Sequence, residues 1–122
     1  MNKVKIKQVD AFTSIPFGGN PAGVVTDANN IDDSIKQKIA KEMNLSETAF
    51  VSSSEKADFK VQFFTPKFEV DLCGHATIAT FDTLYKENKL DLSKDKFYQE
   101  TKAGVLPVEI KESFTATTKL EG

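Results

Sequence analysis

Asp71-Leu72-Cys73-Gly74-His75-Ala76-Thr77-Ile78-Ala79 carries the chain from an extended piece into a helix, and it holds the only cysteine and the only histidine, two residues apart. The helix is predicted to run from about Gly74 to Asn88. In its first two turns Ala76, Ile78, Ala79, Phe81 and Leu84 are apolar nearly all round, the mark of a helix surrounded by protein rather than lying on a surface. A Gly-His step is an odd opening for a buried helix. It does point unpaired backbone N–H groups and an imidazole outward, where a negative group can meet them.

Outward from this helix the pattern is mostly strand. Phe68 to Leu72 reads as a short extended piece after a Pro66-Lys67 turn. Asp58 to Thr65 alternates Phe59, Val61 and Phe63 with Lys60 and Gln62, and Thr48 to Ser53 reads as another strand. Asp32 or Asp33 can cap a helix ending near Met43, with Asn44 closing it in the left-handed conformation. Ile35, Ile39 and Met43 recur on one face of that helix, and Lys36, Lys38 and Lys41 are expected on the solvent face. Two N-terminal strands, Val4 to Phe12 and Ala22 to Thr26, flank the turn-rich segment Ser14 to Pro21. Two more, Lys96 to Thr101 and Val105 to Lys111, are joined at Lys102-Ala103-Gly104. The stretch from Glu112 to Gly122 is polar and Thr-rich and reads as a loose tail. One buried and one amphipathic helix among several strands give an α+β fold, with a curved mixed or antiparallel sheet around the second helix and the first helix outside.

Composition narrows the function. The chain has 122 residues, ten phenylalanines, no tryptophan and a net charge of −2. That is one domain's length with no basic excess, which argues against nucleic-acid and anionic-membrane partners. All 16 cationic residues are lysine, so an anion would be held by backbone amides, lysine or histidine rather than by a guanidinium fork. A single cysteine cannot form an intrachain disulfide and fits a reducing, cytoplasmic setting. The start of the chain alternates lysine with apolar residues and lacks the apolar core of a signal peptide. No run approaches transmembrane length.

Five candidate positions carry chemistry. Gly74 lets a ligand approach the helix N-terminus closely, and His75 can donate a hydrogen bond or move a proton; equally, both can serve a tight strand-to-helix turn. Cys73 sits where the helix dipole would favour a thiolate, although most lone cysteines are small buried hydrophobes. Glu47, in Asn44-Leu45-Ser46-Glu47-Thr48-Ala49-Phe50-Val51, enters a strand beside apolar residues. A carboxylate at the edge of an apolar site suits general acid/base work, and a solvated strand-end glutamate is the plain alternative. Asn20, in Gly18-Gly19-Asn20-Pro21, can aim its amide at a ligand or brace a turn. One histidine and one cysteine a single residue apart make no tetrahedral set, so no metal site is expected.

Asp10-Ala11-Phe12-Thr13 with Phe17-Gly18-Gly19-Asn20-Pro21-Ala22, Met43-Asn44-Leu45-Ser46-Glu47-Thr48, Phe64-Thr65-Pro66 and Cys73-Gly74-His75-Ala76-Thr77 together resemble the phenazine-biosynthesis PhzF family. The likeness extends to their order and intervals, from about Lys3 to about Lys111. It implies a diaminopimelate-epimerase-like fold of two similar domains, each a helix wrapped by a curved sheet, with the active site between them. This chain would supply the N-terminal domain, residues 1–111, followed by the tail 112–122, with the second domain absent. The resemblance places the acid/base glutamate on Glu47 and the substrate grip on Gly74 and His75. It implies an isomerase that moves a proton on a small carboxylated metabolite in biosynthesis, without a cofactor.

Cys73 departs from the phenazine enzyme proper. Related epimerases and racemases of the fold place a cysteine just before this glycine and pair it with a second from the other domain. No second thiol exists here, which rules out a two-cysteine racemase for this chain alone. Family members are also substantially longer, so a homodimer or a C-terminal domain is expected to complete the site. The alternatives are a catalytically inactive remnant or binding module, and half of a two-chain epimerase.

Overall fold

The computed structural model describes residues 5–11, 20–91, 93–111 and 115–118. Ten elements follow one another: β1 (Lys7–Ala11), β2 (Asn20–Val25), α1 (Asp33–Met43), β3 (Glu47–Ser52), β4 (Phe59–Phe64), β5 (Glu69–Val70), α2 (Gly74–Lys86), β6 (Lys96–Thr101), β7 (Gly104–Lys111) and β8 (Thr115–Thr118). The strands form one mixed sheet in the order β1-β2-β3-β4-β6-β7-β8, with β5 paired to β4. β2 runs parallel to β3, and β4 parallel to β6, while the other pairings are antiparallel. The α+β expectation of a curved sheet around a central helix is met. Helix α2 touches β1, β2 and β3 towards one end of the strand order and β8 at the other, so the sheet curls around it.

Strand alternation sorts the core into two layers. Ala22, Val24, Ala49, Val51, Val61 and Phe63 pack with Ala76, Ala79, Phe81 and Leu84 of α2, joined by Phe97 and Val108. Their neighbours Val25, Phe50 and Phe64 point the other way and pack with Ala40 of α1. Phe81 lies edge-on to Phe59 at 6.0 Å and tilted against Phe97 at 6.3 Å. The buried α2 positions also include Thr77, Thr80 and Thr83. Each hydroxyl donates to the carbonyl four residues earlier, at 2.8, 2.7 and 2.8 Å, which lets a polar side chain sit inside an apolar wrap.

Helix α1 matches its predicted limits, with Asp32 as N-cap and Asn44 in the left-handed conformation at its end. Its buried face differs from expectation. Ile35 is exposed and Lys36, expected in solvent, is buried. The Lys36 ammonium bonds the Gln62 side-chain carbonyl and lies 3.7 Å from Asp33, so polar partners on β4 and α1 receive the amine while its aliphatic stem fills the interface.

The stretch read as a loose tail contributes β8, which pairs antiparallel with β7 from Val108↔Thr118 to Lys111↔Thr115. Of the turn-rich N-terminal segment, Gly18 and Gly19 lie outside the described residues, and Asn20 opens β2 opposite Ala11. Among the described residues no helix is long and apolar enough to cross a membrane.

Candidate functional site

The Cys73-Gly74-His75 step sits where the sequence predicts, at the α2 N-terminus. Cys73 is the N-cap in extended conformation and Gly74 the first helical residue. The Cys73 carbonyl accepts both the Thr77 N–H at 3.0 Å and the Thr77 hydroxyl at 2.8 Å, which fixes the entry angle of the chain. Behind it the fully buried Gln99 amide lies 3.5 Å from the Thr77 hydroxyl. Thr77 is thus a support, and Gln99 a buried neighbour packed behind it, that the sequence reading missed. A Thr four residues after an N-cap was the available signal for the first, and nothing local marked the second.

Glu47 is the first residue of β3, paired with Ala22 of the parallel strand β2. Side-chain alternation turns it towards the α2 layer, with Ala49 and Val51 behind it. There its carboxylate meets the helix start: Glu47 Oε1 lies 3.0 Å from His75 Nε2, with the two side chains 18% and 16% exposed. This is an ion-pair distance without hydrogen-bond alignment. Both atoms are buried and neither has a hydrogen-bond partner. On the other side of the ring, His75 Nδ1 lies 3.4 Å from Cys73 Sγ.

Glu47, Cys73 and His75 therefore form a compact group, with one potential ligand atom from each within 4.8 Å of the others. Spacing hid this set, because Glu47 is 28 positions upstream of His75. The Asn20 backbone lies at the same end of the sheet, two residues before the Ala22 that pairs with Glu47.

At the thiol, burial outweighs the helix dipole. Burial pushes the Cys73 thiol up to about 11; the Ala76 and His75 N–H groups pull it down, but the Glu47 carboxylate adds to the rise. Desolvation disfavours the thiolate, and a neighbouring anion disfavours it again. At neutral pH Cys73 is a protonated, half-buried side chain packed against the main core.

The arrangement thus offers a carboxylate and an imidazole, largely shielded from water, at a helix end whose first-turn N–H groups lack intrahelical partners. Those are the parts needed to hold an anion and to exchange a proton with it.

Comparison with known proteins gives the family. The family described as phenazine biosynthesis-like protein (PhzC-PhzF) matches residues 9–120. The chain is 49% identical over 112 residues to an uncharacterized isomerase of Clostridium acetobutylicum, covering 90% of this chain and 36% of that protein. It is 43% identical to a second uncharacterized isomerase, from Bacillus subtilis, covering 92% of this chain and 38% of that protein. Among solved structures, a PhzF-family phenazine biosynthesis protein of Bacillus anthracis superimposes with a TM-score of 0.85 at 41% identity, over 95% of this chain and 39% of that one. A hydroxyproline epimerase of Agrobacterium vitis shares the fold with a TM-score of 0.63 at 11% identity, over 90% of this chain and 38% of that one. The chain spans well under half the length of these relatives. By the extent of the family match and the strength of these likenesses, it belongs to the PhzF family of phenazine biosynthesis-like proteins.

Proposed function

We propose that this chain forms one wall of an isomerase site that moves a proton on a small carboxylated metabolite without a cofactor. Glu47 is the proton shuttle. His75 and the backbone at Gly74 hold the substrate carboxylate at the α2 N-terminus, with Asn20 at the edge of the same site. The observation that carries this reading is the Glu47–His75 pair, its Oε1 and Nε2 atoms 3.0 Å apart and shielded from water at the mouth of a wrapped helix. A water-shielded carboxylate beside an imidazole can accept a proton from carbon and return it to another position. The names of the relatives, uncharacterized isomerases, support the reaction class.

The opposite wall is expected from the further length that relatives possess or from a second copy of this chain. Cys73, protonated and half-buried, packs beside the pair rather than acting as the base. The lone thiol fits a reducing cytoplasm.

The test is solvent exchange. The chain, alone and mixed with the C-terminal portion of a relative, is incubated in D2O with a panel of cyclohexadienyl carboxylates and cyclic and acyclic amino acids. Incorporation of deuterium at carbon is followed by NMR. Exchange with at least one acid, reduced about a hundredfold or more by Glu47→Gln, is expected for loss of a general acid/base. Exchange unaffected by Glu47→Gln, or none with any acid in either format, refutes the assignment.

A further inference from the structure

We propose that the Glu47 carboxylate, the Cys73 sulfur and one ring nitrogen of His75 form a three-ligand site for a soft divalent cation of the Zn2+ class, and that occupancy switches proton transfer off. The binding half stands on geometry alone; the inhibitory half rests on the role proposed for Glu47.

Zn–S and Zn–N bonds of about 2.3 and 2.0 Å at a tetrahedral angle put sulfur and nitrogen roughly 3.5 Å apart. Cys73 Sγ and His75 Nδ1 already stand at 3.4 Å. The carboxylate supplies the third arm, with one ligand atom from each of the three residues within 4.8 Å of the others. Thiolate and imidazole together select Zn2+ or Co2+ over Mg2+ and Ca2+, and three protein ligands leave a fourth position open.

The second support is charge and burial. Glu47 Oε1 and His75 Nε2 are shielded from water and face each other at 3.0 Å without hydrogen-bond alignment, so no directional bond is broken when the carboxylate turns to a cation. A dication binding one thiolate and one carboxylate leaves the group neutral, so the pocket gains a charge-balanced occupant. Binding releases the thiol proton to solvent, and the Glu47 lone pair then points at the metal and is lost to the substrate.

The experiment is titration of the whole chain with Co2+ under anaerobic conditions, read by absorption. A saturable one-to-one complex is expected, with tetrahedral visible bands and a near-ultraviolet sulfur-to-cobalt charge-transfer band, all displaced by Zn2+. Cys73→Ala should abolish the charge-transfer band. His75→Ala and Glu47→Gln should each weaken binding at least about tenfold, by analogy with the loss of supporting ligands. Circular dichroism checks that each variant is folded. A variant-free measurement is Zn2+ protection of Cys73 in the wild-type chain against alkylation at alkaline pH.

A dissociation constant weaker than about 1 mM, a charge-transfer band that survives Cys73→Ala, or no protection by Zn2+ overturns the site. For the inhibitory half, Zn2+ should suppress deuterium exchange in step with Co2+-measured occupancy, and exchange at full rate with the site loaded overturns it. Loss of the exchange reaction itself would leave the cobalt spectra untouched, so failure of the two readings can be told apart.

Discussion

Replacing Phe81 with alanine tests whether α2 is held as the sheet's wrapped helix. Phe81 is fully buried in the middle of α2, edge-on to Phe59 at 6.0 Å and tilted against Phe97 at 6.3 Å. Deleting a buried Phe ring costs about 3–5 kcal/mol, because the lost transfer free energy adds to that of a cavity which the surroundings only partly fill. Part of that loss is the ring–ring geometry, about 0.5–1.5 kcal/mol per well-oriented pair. A domain of this length has roughly 6–18 kcal/mol of stability at about 0.05–0.15 kcal/mol per residue, so the variant should remain folded but weakened. With an m-value near 1.5 kcal/mol per molar urea, the midpoint should fall by about 2–3 M. The assay is urea unfolding followed by far-ultraviolet circular dichroism, with Phe68→Ala as the reference. Phe68 is 58% exposed, and its truncation should stay within about 0.5 kcal/mol of wild type. If Phe81→Ala costs no more than Phe68→Ala, α2 is not enclosed, and the placement of Cys73, Gly74 and His75 against Glu47 loses its anchor.

Three further outcomes are expected. Gln99 is fully buried and its side-chain carbonyl has no partner, so Gln99→Leu should be neutral or up to about 1 kcal/mol stabilising in the same urea assay; a cost above about 2 kcal/mol would show that its amide does more than fill space. Burial holds the Lys36 ammonium below the ordinary lysine value of 10.5, against the opposing pull of Asp33. In the window between the lowered folded value and 10.5 the unfolded chain binds more protons, so this group's contribution to stability rises with pH. Wild type should therefore gain on Lys36→Met as pH climbs through that window, and a flat or falling difference contradicts the burial. With its thiol near 11, Cys73 should carry on the order of one thiolate in ten thousand at pH 7, so iodoacetamide should label it far more slowly than a free thiol and about tenfold faster per pH unit up to roughly pH 10. Labelling at the free-thiol rate at pH 7 would mean the sulfur is neither buried nor flanked by Glu47.

Local signals carried much of the architecture. Asp32 and Asn44 bracket α1, and the alternation of Phe59, Val61 and Phe63 makes β4 recognisable. The near-uniform apolarity of Ala76 to Leu84 tells of a helix with protein on all sides. Where a side chain's fate depended on a distant partner, the sequence misled. Lys36 looks like a solvent residue because nothing in α1 announces Gln62, contributed by β4, as its acceptor. The Thr-rich stretch of β8 lacks hydrophobic alternation, yet the β7 edge takes it as a backbone partner. Cys73 looks activated if only the helix dipole is considered, and becomes a protonated thiol once burial and Glu47 are included.

Local sequence established the kinds of chemistry available and where they sit in local structure: a Cys-Gly-His helix start, a strand-entry glutamate, no arginine and one thiol. Helix and strand signals are local, because propensity, capping and alternation act over a few residues. Tertiary structure alone decided that Glu47 and His75 meet. That contact needs the parallel pairing of β2 with β3, which sets Glu47 opposite Ala22, and a sheet curled tightly enough to bring the β3 entry against the α2 N-terminus. Strand register and sheet curl are settled by contacts between residues far apart in the chain, and a slip of one residue would turn Glu47 to the opposite face.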